Sequence, residues 1–148
     1  MIPFTAKYYQ HLKDEVIRLH TLREEVVGRL AIAREQGDLS ENGAYKYAKM
    51  ELGDIGRQLR ELHRLLFEGK IVEHTHPGVV EFGATVTLVK DKKPITYVLV
   101  SAFESDPAAH KLSIDSPLGL TLLGKKKGDM CELRAPAGMI QYDIQNVD

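Results

Sequence analysis

Apolar positions in the first half of the chain recur every three or four residues. From Tyr45 they continue through Ala48, Leu52, Ile55, Leu59, Leu62 and Leu66, in alternating steps of three and four. This is a heptad seam with a mean step near 3.5, the pattern of helices packed side by side. Upstream, Leu12, Val16, Leu19, Leu22, Val26, Leu30 and Ala33 form a second seam with the same mean step. Folding the chain back near residue 39 pairs the seams in mirror order, from Ala33 with Tyr45 to Leu12 with Leu66. Mirror-ordered seams predict an antiparallel coiled-coil hairpin with arms of about 25 residues, roughly 37 Å each. Two unrelated helices of a bundle are the alternative, but nothing would keep their seams in register along the whole length.

Beyond residue 69 the helical period breaks. All proline after Pro3 falls at Pro77 or later, and β-branched residues with tight turn signals take over. Residues 84–89 and 95–100 alternate as strands, with a turn expected at Asp91-Lys92-Lys93-Pro94. Lys111 to Ile114 reads as a short strand. Ser116-Pro117 reads as an N-cap with proline in the first helical position, and Gly124 as the stop of a short helix from Pro117 to Leu123. Met130 to Ala135 and Met139 to Val147 read as two further strands joined by Pro136-Ala137-Gly138. The expected fold class is α+β, with a helical hairpin over residues 1–73 and a small sheet domain over residues 78–148.

Composition narrows the function classes. The 148 residues carry 20 basic and 21 acidic side chains, and neither half is basic: residues 1–73 hold 12 of each sign. A duplex-DNA clamp with a large positive field is therefore excluded as an expectation. The single cysteine, Cys131, rules out an internal disulfide or a Cys-based zinc ribbon, and its alternation with Leu133 places it in the core. No apolar run approaches the roughly 20 residues that span a bilayer, and no signal-peptide pattern opens the chain, so a cytoplasmic protein without membrane contact is expected. His74-x-His76 has a metal-like spacing but no evident third ligand.

The hairpin end, Gly37-Asp38-Leu39-Ser40-Glu41-Asn42, holds the candidate chemistry. Gly37 suits the close of the first arm. Asp38 and Glu41 have the spacing of a capping box, with Asp38 as N-cap and Glu41 in the third helical position. The same two carboxylates are also hard oxygen donors for a divalent cation. Both readings stay open on residue physics. Lys46, Arg57, Arg60 and Arg64 fall on outer heptad positions of the second arm. They form either an RNA-attracting stripe or a solvated face laced with Glu51, Asp54 and Glu61.

The run Ala33-Arg34-Glu35-Gln36-Gly37-Asp38-Leu39-Ser40-Glu41-Asn42, followed by Tyr45, resembles the tip of the bacterial Gre transcript-cleavage factors, GreA and GreB. Pro3-Phe4-Thr5, Phe82-Gly83-Ala84-Thr85-Val86, and Ser113 to Gly119 with Leu122 to Lys125 resemble further family motifs in the same order. The resemblance implies an FKBP-like C-terminal domain that docks on bacterial RNA polymerase through Asp115, Ser116, Pro117 and Leu118. It implies a coiled coil that enters the secondary channel and reaches the nascent RNA 3′ end. There Asp38 and Glu41 would help hold a Mg²⁺ shared with the polymerase and orient the attacking water. Leu39, Ser40, Asn42 and Tyr45 would support that tip.

On this reading the chain is an accessory factor, monomeric when free, that activates the polymerase's own nuclease rather than acting as an enzyme. Two departures stand out, and one run leaves the subtype open. Gly43-Ala44 replaces the Ala-acid pair usual before Tyr45, Leu120 replaces a common arginine, and Tyr45 to Lys49 does not decide between GreA and GreB. A non-cleaving channel binder is the alternative within the fold, and a prolyl isomerase the alternative outside it.

Overall fold

The computed structural model describes residues 1–37 and 42–148. The chain divides into two compact units, Tyr9–Gly69 and a second formed by Met1–Tyr8 with Lys70–Asp148. The first eight residues thus belong with the sheet unit, whereas the sequence reading grouped them with the hairpin.

The hairpin unit is built from α1 (Ala6–Arg34), whose first turn lies in the other unit, and α2 (Gly43–Glu68). Its core is the predicted seam. Leu19, Val26, Ala48, Ile55 and Leu59 are buried together, with Val16, Leu22, Leu30, Leu52 and Leu62 packed partly buried against them. Contacts between the arms run in antiparallel order. Asn42 meets Ala33, Arg29 meets Glu51 at 3.0 Å, the His20 and His63 rings lie 6.2 Å apart, and the Tyr9 hydroxyl donates to Leu66 O at 3.3 Å. At the lower end the seam drifts by one residue. Leu65 is buried and Leu66 only half-buried, as expected when a 3.6-residue helix follows a 3.5-residue pattern.

In the sheet unit, β1 (Ile2–Phe4) pairs with β2 (Gly69–Ile71), a two-stranded sheet that the sequence did not announce. Phe4 is fully buried against the rings of Tyr8 and Phe103. Thr5 caps α1: its Oγ1 accepts from Tyr8 N and donates to Oε1 of the buried Glu104 at 2.7 Å. The larger sheet contains β3 (Thr85–Lys90), β4 (Lys93–Val100), β5 (Lys111–Ser113), β6 (Met130–Ala135) and β7 (Gly138–Val147), in the spatial order β5-β4-β3-β7-β6. A single 3₁₀ turn (Pro107–Ala109) precedes β5, and α3 (Pro117–Leu122) follows it.

The β3–β4 turn is shorter than the sequence implied. Asp91 and Lys92 alone take positive φ, and Pro94 lies within β4 opposite Val89. Lys90 and Lys93 close this two-residue hairpin as a hydrogen-bonded pair, so the next pair is non-hydrogen-bonded. The missing N–H of Pro94 therefore faces away from β3, and β5 pairs with β4 only from Val98 onward. In β7 a register shift opposite Thr87 and Leu88 skips Gln145. This bulge lets Ile144 and Val147, three apart, both enter the core with Val86, Leu88, Leu99, Leu122 and Cys131.

His74 and His76 have a common partner in Glu81. Its carboxylate accepts from the Thr75 and His76 backbone N–H groups and lies 2.6 Å from His74 Nδ1 and 3.0 Å from His76 Nδ1. Among the described residues, no group of three or more His, Cys, Asp or Glu could hold a metal. The backbone N–H donors, aided by the imidazoles, lower the Glu81 carboxyl to about 2, from an ordinary 4.5. A depressed folded value means the contribution to stability is present above the unfolded value and is lost as pH falls toward 2. Glu81→Gln is therefore expected to flatten the acid limb of stability between about pH 5 and pH 2. Urea midpoints across that range check this, and parallel curves for the two proteins would contradict it.

Candidate functional site

The site is assembled where the two arms join. α1 ends at Arg34, Gly37 adopts a φ of 107° suited to glycine, and α2 begins at Gly43. Asp38, Leu39, Ser40 and Glu41 lie outside the described residues. The N-cap of α2 is Asn42, not Asp38 as the capping-box reading had it. Asn42 has extended dihedrals, and its Oδ1 accepts from Tyr45 N at 3.0 Å. Its Nδ2 donates to Ala33 O at 2.7 Å. One side chain thus satisfies an orphan donor of α2 and adds a second donor to Ala33 O of α1, which also accepts from Gln36 N at 3.2 Å, clasping the arm ends that flank residues 38–41 in the chain.

Removing the clasp has a graded expected effect. Asn42→Ala loses the cap and the bond to Ala33, about 2 kcal/mol together. Asn42→Asp keeps the cap acceptor but has no donor for Ala33 O, so it is expected to fall between. Urea unfolding followed by helical signal checks the order wild type, Asp, Ala. Equal midpoints for the three would contradict the clasp.

Tyr45 is half-buried, and two cations lie over its ring, Arg34 at 6.0 Å and Lys49 at 5.9 Å. The four basic candidates separate. Arg57 is paired with Asp54 one turn away. Arg64 is held by Glu61 at 2.7 Å and Glu68 at 2.8 Å, which raises its affinity for the proton above the ordinary guanidinium. These two belong largely to the laced, solvated face. Lys46 lies higher on the helix, on an open outer face that it shares with Lys49, Met50, Gly53, Asp54 and Arg57. Arg60 is exposed on the same helix, and its guanidinium reaches back over Gly56.

The docking candidates also divide. Ser116 is the N-cap of α3: its Oγ accepts from Gly119 N at 3.0 Å and donates to Ser113 O at 2.6 Å. Leu118 packs partly buried against the sheet core. Asp115 and Pro117 remain on the surface. Leu120, also singled out, is 60% exposed. Three residues near the arm junction were not singled out for chemistry: Ile32 and Tyr47, exposed at 61% and 64%, and Lys49. Exposed apolar residues at helical spacing on the flank of a seam were the available signal.

A two-helix hairpin with its connection clasped by an asparagine, followed by a small mixed sheet carrying a Ser-Pro helix, defines the architecture. Residues 2–71 match the family description "Transcription elongation factor, N-terminal" and residues 74–148 "Transcription elongation factor, GreA/GreB, C-term". The chain is 34% identical to transcription elongation factor GreA of Rickettsia prowazekii, over 99% of this chain and 93% of that protein. It is 38% identical to GreA of Neisseria meningitidis, over 99% and 96%. Among solved structures, GreA factor homolog 1 (Gfh1) of Thermus thermophilus is 24% identical, covering 99% of this chain and 98% of that one, with a TM-score of 0.46. The chain belongs to the GreA/GreB family of transcription elongation factors. No helix among the described residues is long and apolar enough to cross a membrane.

Proposed function

We propose that this chain binds bacterial RNA polymerase through the secondary channel and stimulates the polymerase's intrinsic cleavage of backtracked RNA. It acts as an accessory factor, monomeric when free, with the nascent RNA 3′ end as its second contact. The observation that carries the reading is the clasped arm junction: Asn42 ties together the two helix ends between which Asp38 and Glu41 fall in the sequence. A 26-residue α2 spans roughly 39 Å, long enough to carry two carboxylates into a channel too narrow for a globular domain. Asp115 and Pro117 are the exposed residues assigned to docking.

Asp38 and Glu41 offer hard carboxylate oxygens, which suit Mg²⁺, but two side chains fall short of its octahedral shell. The donor set thus fits a metal shared with a partner and not one held by the free protein. Such a metal stabilises charge on the phosphate and on the attacking oxygen when bound. The chain's own task is to present the two carboxylates and to orient water, with Ser40 hydrogen-bonding nearby.

The test is addition of the protein to stalled, backtracked elongation complexes with cognate polymerase. Release of short 3′ RNA fragments is expected. Binding to polymerase with no gain in cleavage would contradict activation and favour the second reading, a non-cleaving binder that inhibits or competes. One observation keeps that reading in view: the first turn of α2 contains no acidic residue.

A further inference from the structure

On one flank of the arm junction a groove of about 260 Å³ opens between the helices. Its walls are Ile32 and Tyr47, its floor Ala33 and Ala48, and Gln36 lies toward the connection. We propose that this groove receives one unpaired nucleobase of the RNA 3′ end, stacked on the Tyr47 ring. The inference rests on the preceding reading, which brings RNA to this end of the hairpin.

Three observations favour a base as occupant. The volume lies below the roughly 300–1,000 Å³ of sites for drug-sized ligands, which suits a single ring system. Tyr47 and Ile32 are each more than 60% exposed, so the groove has apolar walls and an accessible aromatic face. Lys46, next to Tyr47 in the chain, and Lys49 are exposed on the outer face of the same helix, so the helix that carries the ring also carries cations for the phosphates, whereas Arg57 is already paired with Asp54. Single-stranded nucleic-acid sites combine these parts, a cationic track and an aromatic platform. The exposed Gln36 carboxamide brings both a donor and an acceptor to the base edge. Arg29 is held by Glu51 across the arms and braces the groove rather than charging it.

The test uses backtracked complexes whose RNA ends in 4-thiouridine, with wild type, Tyr47→Ala and Tyr47→Phe. Alanine at this exposed helical position leaves the fold intact. The expected result is a crosslink to the α2 peptide containing Tyr47, retained by Tyr47→Phe and reduced about tenfold in Tyr47→Ala. The factor concentration for half-maximal cleavage rises by a similar factor in Tyr47→Ala, with the maximal rate little changed. Unchanged crosslinking and cleavage in Tyr47→Ala would overturn the proposal, as would a 4-thiouridine crosslink that maps to polymerase and not to the Tyr47 peptide. Asp38→Asn separates the two claims. If it leaves cleavage intact while Tyr47→Ala loses the crosslink, the carboxylate reading fails and the groove stands.

Discussion

Asp38→Asn and Glu41→Gln are each expected to lower stimulated transcript cleavage about 100-fold or more, while binding to polymerase stays near wild type. Each substitution is nearly isosteric and removes one negative charge, so it deletes a hard oxygen donor without changing the size of the side chain. Asn42, not Asp38, caps α2, so neither variant removes the contact that clasps the arms. A loss of cleavage would therefore report chemistry at the junction rather than unfolding. The double variant is expected to lose little beyond the worse single, because two ligands of one site act as a unit. Cleavage by either single variant at wild-type levels would contradict the assignment.

Gly119→Ala is expected to be the most destabilising single-methyl change in the sheet unit. A Cβ at Gly119 would lie 2.1 Å from Ser113 O, 3.0 Å from Ser116 Oγ and 3.1 Å from Ile114 Cα. All three atoms belong to the segment that Ser116 holds in place as N-cap of α3, so none can yield without breaking the cap. The cost is about 3 kcal/mol or more, a fall in unfolding temperature of roughly 12–24 °C for a domain of this size. Leu118 and Leu122 enter the core from the same helix. The surface that holds Asp115 and Pro117 would therefore be displaced, and polymerase binding should fall with stability. Calorimetry of the variant checks the first part, and a wild-type unfolding temperature would contradict it.

Much of the hairpin was legible because its signal is periodic. The seam residues that the heptad count selects are the ones that pack, and only the shift from Leu66 to Leu65 escapes a fixed repeat. The strands of the larger sheet were legible within one or two residues, since β-branched alternation and turn residues are local signals. What escaped was non-local. The β1–β2 pair joins residues about 65 apart in sequence, and three-residue strands carry too little pattern to predict. The partner of His74 and His76 is a glutamate across a turn, which spacing alone does not show.

The cap at Asn42 escaped for a different reason. Asp38-x-x-Glu41 is a good local cap signal, and the competing use of Asn42 depends on Ala33 O standing within reach on the other arm. The identity of the family, by contrast, was carried by ordered motifs across the chain. The chemistry at Asp38 and Glu41 rests on those motifs and on the donor types.

The measurement that bears most directly on the central claim is the Mg²⁺ dependence of cleavage in backtracked complexes, with wild type and with Asp38→Asn. If the junction carboxylates help hold a shared metal, wild type lowers the Mg²⁺ concentration needed for half-maximal cleavage, and Asp38→Asn returns it toward that of polymerase alone. An unchanged Mg²⁺ requirement with wild type bound would contradict the account.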